Sequence, residues 1–403
     1  MQLRELARVR AGDVLGRTLY DDLGRPLLRA GTVLTPSYLR SLEQRQLTAV
    51  HVRDGLADDV VPTDAVSGRV RATLAGHVAE TFHQVDLLAL DRGRGSGSVQ
   101  AAIDDLGEQP LPVEGADALI GQLISGVEEL LDEILEQETV TGLDALKTHN
   151  NYTFEHSVDV AVVGVLLGAR LGMPRGRLRE LALGCLLHDI GKLYIDTAIL
   201  DKPGKLTGEE RTAVQEHPRM GFELVRRMPV ASLLPAHVAY QHHEQQRGAG
   251  YPRGLVGRNT IGARLAAEEV GAGKMLLIAE IGAIADVYSA LSADRPYRRA
   301  LPPDTVSDLL DRMAGRHLNR ELVTTLRHLL PRFPVGHWVE ITTGPLVGFR
   351  GVVTAVPADV VDRPTIRVVL DARGEELTAP IELDLRHEPE LQLRTTEVER
   401  LLV

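Results

Sequence analysis

Cysteine is nearly absent. Cys185 is the only one in 403 residues, which excludes internal disulfides and any thiolate metal cluster. It lies in an apolar run and reads as a small core residue. An excess of basic charge is also missing: the net charge is −11, which argues against a binder of DNA or RNA polymers. Such a chain binds an anion only where local cations reverse the sign. No stretch approaches the ~18 uncharged apolar residues of a membrane span. The start, Met1-Gln2-Leu3-Arg4-Glu5, lacks the apolar core of a signal peptide. No membrane span is therefore expected, and the cytoplasm is the expected compartment. What is present, 44% apolar and 25% charged residues, is the make-up of a globular protein long enough for two to four domains.

Residues 1–61 read as a small α+β unit. Val14–Tyr20 and Pro26–Leu28 suit strands, Thr35 and Pro36 start a helix through Leu39 and Leu42, and Ala49–Val52 suits a strand. Residues 62–139 read as a linker and helical connector, less regular up to about residue 115, with a flexible basic stretch at Arg92–Ser98. Leu119, Ile120, Leu123, Val127, Leu130, Leu131, Ile134 and Leu135 then form one apolar helix stripe. The stripe suits core packing first, and pairing with a second subunit leaves a homodimer open. Residues 140–332 are patterned as helices, which makes the chain mainly α. From 333 to 403, short β-rich runs (Trp338–Ile341, Gly351–Val356, Thr365–Leu370) alternate with Gly, Pro and Asp turns, as in a small β-barrel-like domain.

Chemistry concentrates in the helical segment. Leu181, Leu183, Leu186 and Leu187 lead into His188-Asp189-Ile190-Gly191-Lys192. Two metal-binding side chains and a cation at the end of an apolar run are costly to bury without partners. His156, His188, Asp189, His217, His242, His243 and Asp286 recur through the same segment. Imidazole and carboxylate without thiolate suit iron, manganese or zinc. Helix neighbours point about 100° apart, so His188-Asp189 and His242-His243 reach two ions more readily than they chelate one. Two ions about 3.5–4 Å apart form a site for attack on a phosphodiester. His51, His77, His83, His149, His237, His317, His328, His337 and His387 read as packed or surface residues.

The motifs run in a fixed order from about Tyr152 to Leu330. They are His156-Ser157, Leu186-Leu187-His188-Asp189-Ile190-Gly191-Lys192, Ile199–Thr207 and Glu216-His217-Pro218. His242-His243-Glu244, Gly248-Ala249-Gly250-Tyr251-Pro252-Arg253-Gly254-Leu255, Ile284–Leu291 and Asp294-Arg295-Pro296-Tyr297 complete the series. This segment resembles an HD-GYP domain, the branch of the HD superfamily associated with cyclic di-GMP phosphodiesterases. Gly31–Thr35 resembles part of a small domain often fused ahead of it, and Pro334-Val335-Gly336 the start of the usual β-rich tail.

The resemblance implies an HD-type helical domain over 140–332 that is a metal-dependent enzyme. Its metal ligands would be His156, His188, Asp189, His217, His242, His243 and Asp286, with Asp189 bridging two divalent ions, iron or manganese. Lys192 would join Asp189 as a catalytic residue, its ammonium one turn after His188 and turned to phosphate. Tyr251, Arg295 and Arg298 would contact substrate beside it. The implied reaction hydrolyses cyclic di-GMP to pGpG and then GMP, lowering the second messenger. The Gly250-Tyr251-Pro252 loop would offer a docking surface for diguanylate cyclase (GGDEF) domains. Because histidine must be neutral to bind metal, activity should fall as pH drops through about 6.

Four departures bear on this reading. Ser289 stands where the family has Asp, Tyr152 where some members place a glutamate for a third metal, and Gln245–Ala249 is less acidic than usual. An insertion at 262–275 either caps the pocket or extends a surface helix. The alternative function is a weak or inactive HD-GYP receptor that binds cyclic di-GMP and partner proteins without turnover. Another nucleotide substrate is the other alternative, and the Gly250-Tyr251-Pro252 turn argues against it.

Overall fold

Thr35 starts the first helix in the computed structural model, which describes residues 2–21, 25–45, 47, 49–53, 55, 57–60, 65–91, 99–113, 115–136, 152–265, 273–293 and 300–396. Its Oγ1 accepts the Tyr38 N–H (3.2 Å), and Pro36 occupies the first helical position. The helix, α1 (Pro36–Gln44), turns Leu42 inward onto Leu15, Leu19, Leu34 and Val50. Around it β1 (Gln2–Glu5) pairs antiparallel with β4 (Ala49–Val52), and β2 (Leu19–Tyr20) with β3 (Pro26–Leu28). The expected strand over Val14–Tyr20 is therefore mostly absent. Val14 and Leu15 make single bridges to Val33 and Val52, and the chain then leaves the ladder at Gly16, whose N–H goes to His51 O (2.7 Å).

The helical body shares one apolar core. The body's elements are α2 (Gly68–Asp91), α3 (Val99–Leu106), α4 (Ala116–Leu135), α5 (Tyr152–Arg170) and α6 (Arg175–Leu187), with α7 (Thr197–Leu200) and α8 (Gly208–Val214) outside the core and burying no residue. They continue with α9 (His217–Val225), α10 (Leu234–Gln241), α11 (Leu277–Ser292), α12 (Pro303–Met313) and α13 (Arg320–Leu329). The stretch read as irregular contains α2, the longest helix described. Val70, Leu74, Val78, Phe82 and Val85 give it a buried face at three- and four-residue spacing, diluted by Gly76, Thr81 and two histidines. The stripe on α4 packs against α2, α5 and α6. Each fully buried leucine or isoleucine there contributes on the order of 1.5–3 kcal/mol. The α5 helix is central: Val160–Val163 and Val165–Leu167 are all buried, so apolar residues face every side. A largely buried ion pair joins two of these helices, Arg71 Nη1 on α2 to Asp159 Oδ1 on α5 (2.5 Å). Arg92–Ser98 and, within the 262–275 insertion, 266–272 lie outside the described residues.

The C-terminal strands are β5 (Trp338–Ile341), β6 (Arg350–Ala355), β7 (Thr365–Leu370), β8 (Glu376–Asp384) and β9 (Leu393–Thr395), ordered β8-β7-β6-β5-β9. All pairs are antiparallel. This corrects the barrel-like expectation: the sheet is open, because β8 and β9 are opposite edges that do not pair. The β9 edge has only three residues and turns to α12, where Asp304 Oδ2 accepts the Thr395 N–H (3.2 Å). Pro380 further interrupts donors along β8. Among the described residues, no helix is long and apolar enough to cross a membrane.

Candidate metal centre

The buried end of α6 delivers His188, and the backbone tightens at once into a 3-10 turn over Ile190–Tyr194. His188 and Asp189 therefore straddle a junction between two helix types. Gly191 makes the turn possible. A Cβ there would lie 2.0 Å from His217 O and 2.5 Å from Gly221 N, so the first turn of α9 rests directly on the glycine. That contact carries His217 to Asp189. The end of α10 brings His242 and His243, while packed helices α5 and α11 bring His156 and Asp286.

All seven side chains converge. Asp189 Oδ2 is 3.3 Å from His188 Nε2, whereas Oδ1 is 3.4 Å from His217 Nε2 and 3.8 Å from His242 Nε2. His156 Nε2 is 3.1 Å from Asp286 Oδ1. Three overlapping groups could each hold a cation: His156-His188-Asp286, His188-Asp189-His242 and His217-His242-His243.

Hydrogen bonds to the far side of each ring explain why these nitrogens point inward. His188, His217 and His242 each donate from Nδ1 to the carbonyl three residues earlier, Cys185 O (2.7 Å), Val214 O (2.6 Å) and Ala239 O (2.8 Å). A carbonyl only accepts, so the proton sits on Nδ1 and the Nε2 lone pair faces the site. The His217 and His242 lone pairs then meet at 3.2 Å, an arrangement that a cation relieves. His188 Nε2 and Asp189 Oδ1 are buried and make no hydrogen bond. The donor set, imidazole and carboxylate without thiolate, fits a divalent metal.

Burial sets the charge states. It pushes the His217 and His243 imidazoles down to about 3, and His242 well below its usual range. His188 moves up instead, because the Asp189 carboxylate overcomes the burial effect. For Asp189, burial is overcome by Lys192 and His188, so its carboxyl lies well below the ordinary range. Asp286 is also lowered, with the His156 hydrogen bond overcoming burial. The acid limit near pH 6 expected for ordinary imidazoles does not apply to His217 and His243.

Lys192 sits differently from its expected place. In a 3-10 turn residues i and i+3 eclipse, so Lys192 stands over Asp189, not His188, and Nζ donates to Asp189 Oδ2 (2.6 Å). Tyr251 lies beside the site with its ring on His243, centroids 4.7 Å apart, and 6.4 Å from the His217 ring. Burial raises its phenol, which stays neutral. Gly250 is obligatory here: its Cβ would sit 2.4 Å from His243 O. Arg295 and Arg298 lie outside the described residues.

Sequence reasoning missed two supports. Glu244, quoted only as part of a motif, is buried and accepts the Arg253 and Leu255 N–H groups (2.7 Å each), which shapes the Gly250-Tyr251-Pro252 loop. Ser289, noted only as a departure, is fully buried with Oγ 2.9 Å from His156 Nδ1. Its position one turn after Asp286 was the available signal.

The family model of the HD domain matches residues 142–267. The cyclic di-GMP phosphodiesterase PA4108 of Pseudomonas aeruginosa is 33% identical over 268 residues, covering 64% of this chain and 59% of that protein. The 3'3'-cGAMP-specific phosphodiesterase 3 of Vibrio cholerae is 36% identical over 183 residues, covering 45% of this chain and 36% of that protein. The chain thus spans less than two thirds of the length of either relative. Among solved structures, Bd1817, an HDG"Y"P protein from Bdellovibrio bacteriovorus, aligns over 81% of this chain and 97% of its own, at TM-score 0.41 and 16% identity. Residues 142–267 thus match the HD domain, and the chain is similar over part of its length to cyclic dinucleotide phosphodiesterases.

Proposed function

We propose that this protein is a metal-dependent phosphodiesterase that opens cyclic di-GMP to pGpG and then cuts pGpG to GMP. One observation carries the chemistry: the two oxygens of Asp189 face opposite histidine groups, Oδ2 toward His188 and Oδ1 toward His217 and His242. In this reading His156, His188 and Asp286 hold one divalent ion, His217, His242 and His243 the other, and Asp189 both. Such ions, iron or manganese, supply Lewis-acid charge and a water nucleophile acidic enough to react near neutral pH.

The chain's own residues do the rest. The hydrogen bonds from Nδ1 of His188, His217 and His242 keep those rings aimed before substrate arrives, and burial keeps His217 and His242 neutral. Lys192 balances the charge of Asp189 and, with its side chain 36% exposed, turns its ammonium to a non-bridging phosphate oxygen when substrate docks. Tyr251 offers its neutral ring for stacking on a guanine, and Arg295 and Arg298 add phosphate contacts. The loop around Tyr251 is also the surface on which a GGDEF domain would dock.

Cyclic di-GMP as substrate is supported by the name of the Pseudomonas relative, and 3'3'-cGAMP as a second reading by that of the Vibrio relative. Chromatography of both dinucleotides, each incubated with manganese- or iron-loaded protein, tests this. Metal-dependent pGpG from cyclic di-GMP is expected, with slower loss of 3'3'-cGAMP. Faster loss of 3'3'-cGAMP transfers the assignment to it. Nucleotide binding with no product from either makes the protein a receptor and overturns the enzyme reading.

A further inference from the structure

Arg264 crosses the foot of the 262–275 insertion. It lies in the 3-10 turn Gly262–Leu265 and is buried, as is Glu280 in the first turn of α11. A charge at that depth needs partners, and the guanidinium has three. Nη1 donates to Glu280 Oε2 (2.9 Å) and to Thr260 O (3.2 Å), and Nη2 donates to Met275 O (2.9 Å). Asn319, the cap of α13, also donates Nδ2 to Glu280 Oε2 (2.7 Å). One planar group therefore ties the chain on both sides of the insertion to the start of α11.

The segments it ties form the stem of the Tyr251 loop. Val256 bridges Lys274, with its N–H on Gly273 O (3.0 Å) and its carbonyl accepting the Met275 N–H (3.2 Å). On its other side Val256 bridges Arg247, so the chain enters and leaves the Gly248–Gly254 turn through this ladder. Leu276 then donates its N–H to Oε1 of buried Gln241 (2.9 Å), the residue before His242. Loop stem, insertion, α10 and α11 thus meet at Met275 and Leu276. Charge alone does not make this joint. A lysine ammonium could meet Glu280 as a point charge, but only the flat fork presents separate nitrogens to Met275 O and to the Thr260–Glu280 side.

We infer that Arg264 is a positioning residue that makes the insertion a brace under the Tyr251 loop, through the geometry of its guanidinium more than through its charge. The functional half of this inference rests on Tyr251 being a substrate contact, as proposed above. Helix α11 holds its place without the brace, because Ile278, Ala279, Ile281, Ile284 and Ala285 are buried in the core. Loss of the fork should therefore loosen the loop stem and spare the metal centre.

Two variants separate geometry from charge. Arg264→Lys keeps a cation beside Glu280, and Arg264→Met combined with Glu280→Met removes both charges. Hydrogen–deuterium exchange of peptides covering 254–258 and 273–277 reads the stem without reference to turnover. Both variants are expected to exchange the Val256 and Met275 amides about tenfold faster than wild type, with the amides of α5 unchanged. Wild-type exchange at these amides in either variant, or acceleration spread equally over α5, would overturn the brace. Steady-state kinetics on cyclic di-GMP reads the consequence: KM should rise about 3–10-fold at unchanged kcat and metal content. An unchanged KM beside a loosened stem would overturn the positioning role. Wild type that forms no product would refute the substrate reading instead, and the exchange result would still decide the brace.

Discussion

Gly191→Ala is a one-methyl change that should damage the metal centre without touching a metal-binding side chain. The new Cβ would lie 2.0 Å from His217 O and 2.5 Å from Gly221 N, both backbone atoms of α9 that cannot rotate away. Relief requires the 3-10 turn and α9 to separate by roughly 1 Å, since carbon–oxygen contacts below about 3 Å do not persist. Overpacking of this kind costs about 1–3 kcal/mol, or roughly 2–12 °C in Tm. The functional cost is larger, because the same movement draws His217 Nε2 away from Asp189 Oδ1, now 3.4 Å apart. Metal sites tolerate displacements of only about 0.2 Å. Calorimetry should show a folded variant with a lowered Tm, and manganese titration should show loss of the ion shared by His217, His242 and Asp189. A variant that keeps two ions at wild-type affinity would refute the claim that Gly191 sets the distance between these two elements.

Three further outcomes follow from the same geometry. Glu244→Gln replaces an acceptor of two N–H groups with an amide that satisfies one, a loss of about 1–3 kcal/mol in the substrate loop. Steady-state kinetics should show KM for the dinucleotide rising on the order of tenfold while metal content stays at the wild-type value; loss of metal would contradict this. In metal-free protein, His217 and His243 stay neutral to about pH 3, whereas the same imidazoles in the unfolded chain protonate near 6.5. The unfolded state binds more protons in that window, so stability should fall steadily on acidification from 6.5 toward 3, measurable as Tm against pH. Arg71→Met leaves Asp159 buried without its counter-charge, and burial already raises that carboxyl to about 6. A raised carboxyl loses its contribution as pH rises through 6, so urea unfolding should show a loss of about 3–5 kcal/mol at pH 8 and less at pH 5.

The seven converging residues were legible because chemistry restricts them to histidine and aspartate at recurring positions, and all three cation-capable groups are drawn from them. The α4 stripe was legible for a similar reason, since leucine and isoleucine at helical spacing have few other uses. The partners behind the rings were not. Cys185, Val214 and Ala239 act through carbonyl oxygens, which every residue carries, so side-chain identity says nothing about them. The Arg71–Asp159 pair joins residues 88 apart and leaves no local pattern. Lys192 was misplaced because an α-helical spacing was assumed where the backbone tightens to three residues per turn. The open sheet escaped notice because strand runs reveal their pairing faces but not whether the last edge meets the first.

In the proposed function the two oxygens of Asp189 join two cations into one reactive site. Metal content per chain, measured by mass spectrometry on protein loaded anaerobically with iron and with manganese, tests it in wild type and in Asp189→Ala. Two ions per chain in wild type, falling to one or none in the variant together with loss of pGpG formation, is the predicted result. Two ions retained in Asp189→Ala, or a single ion in fully active wild type, would contradict it.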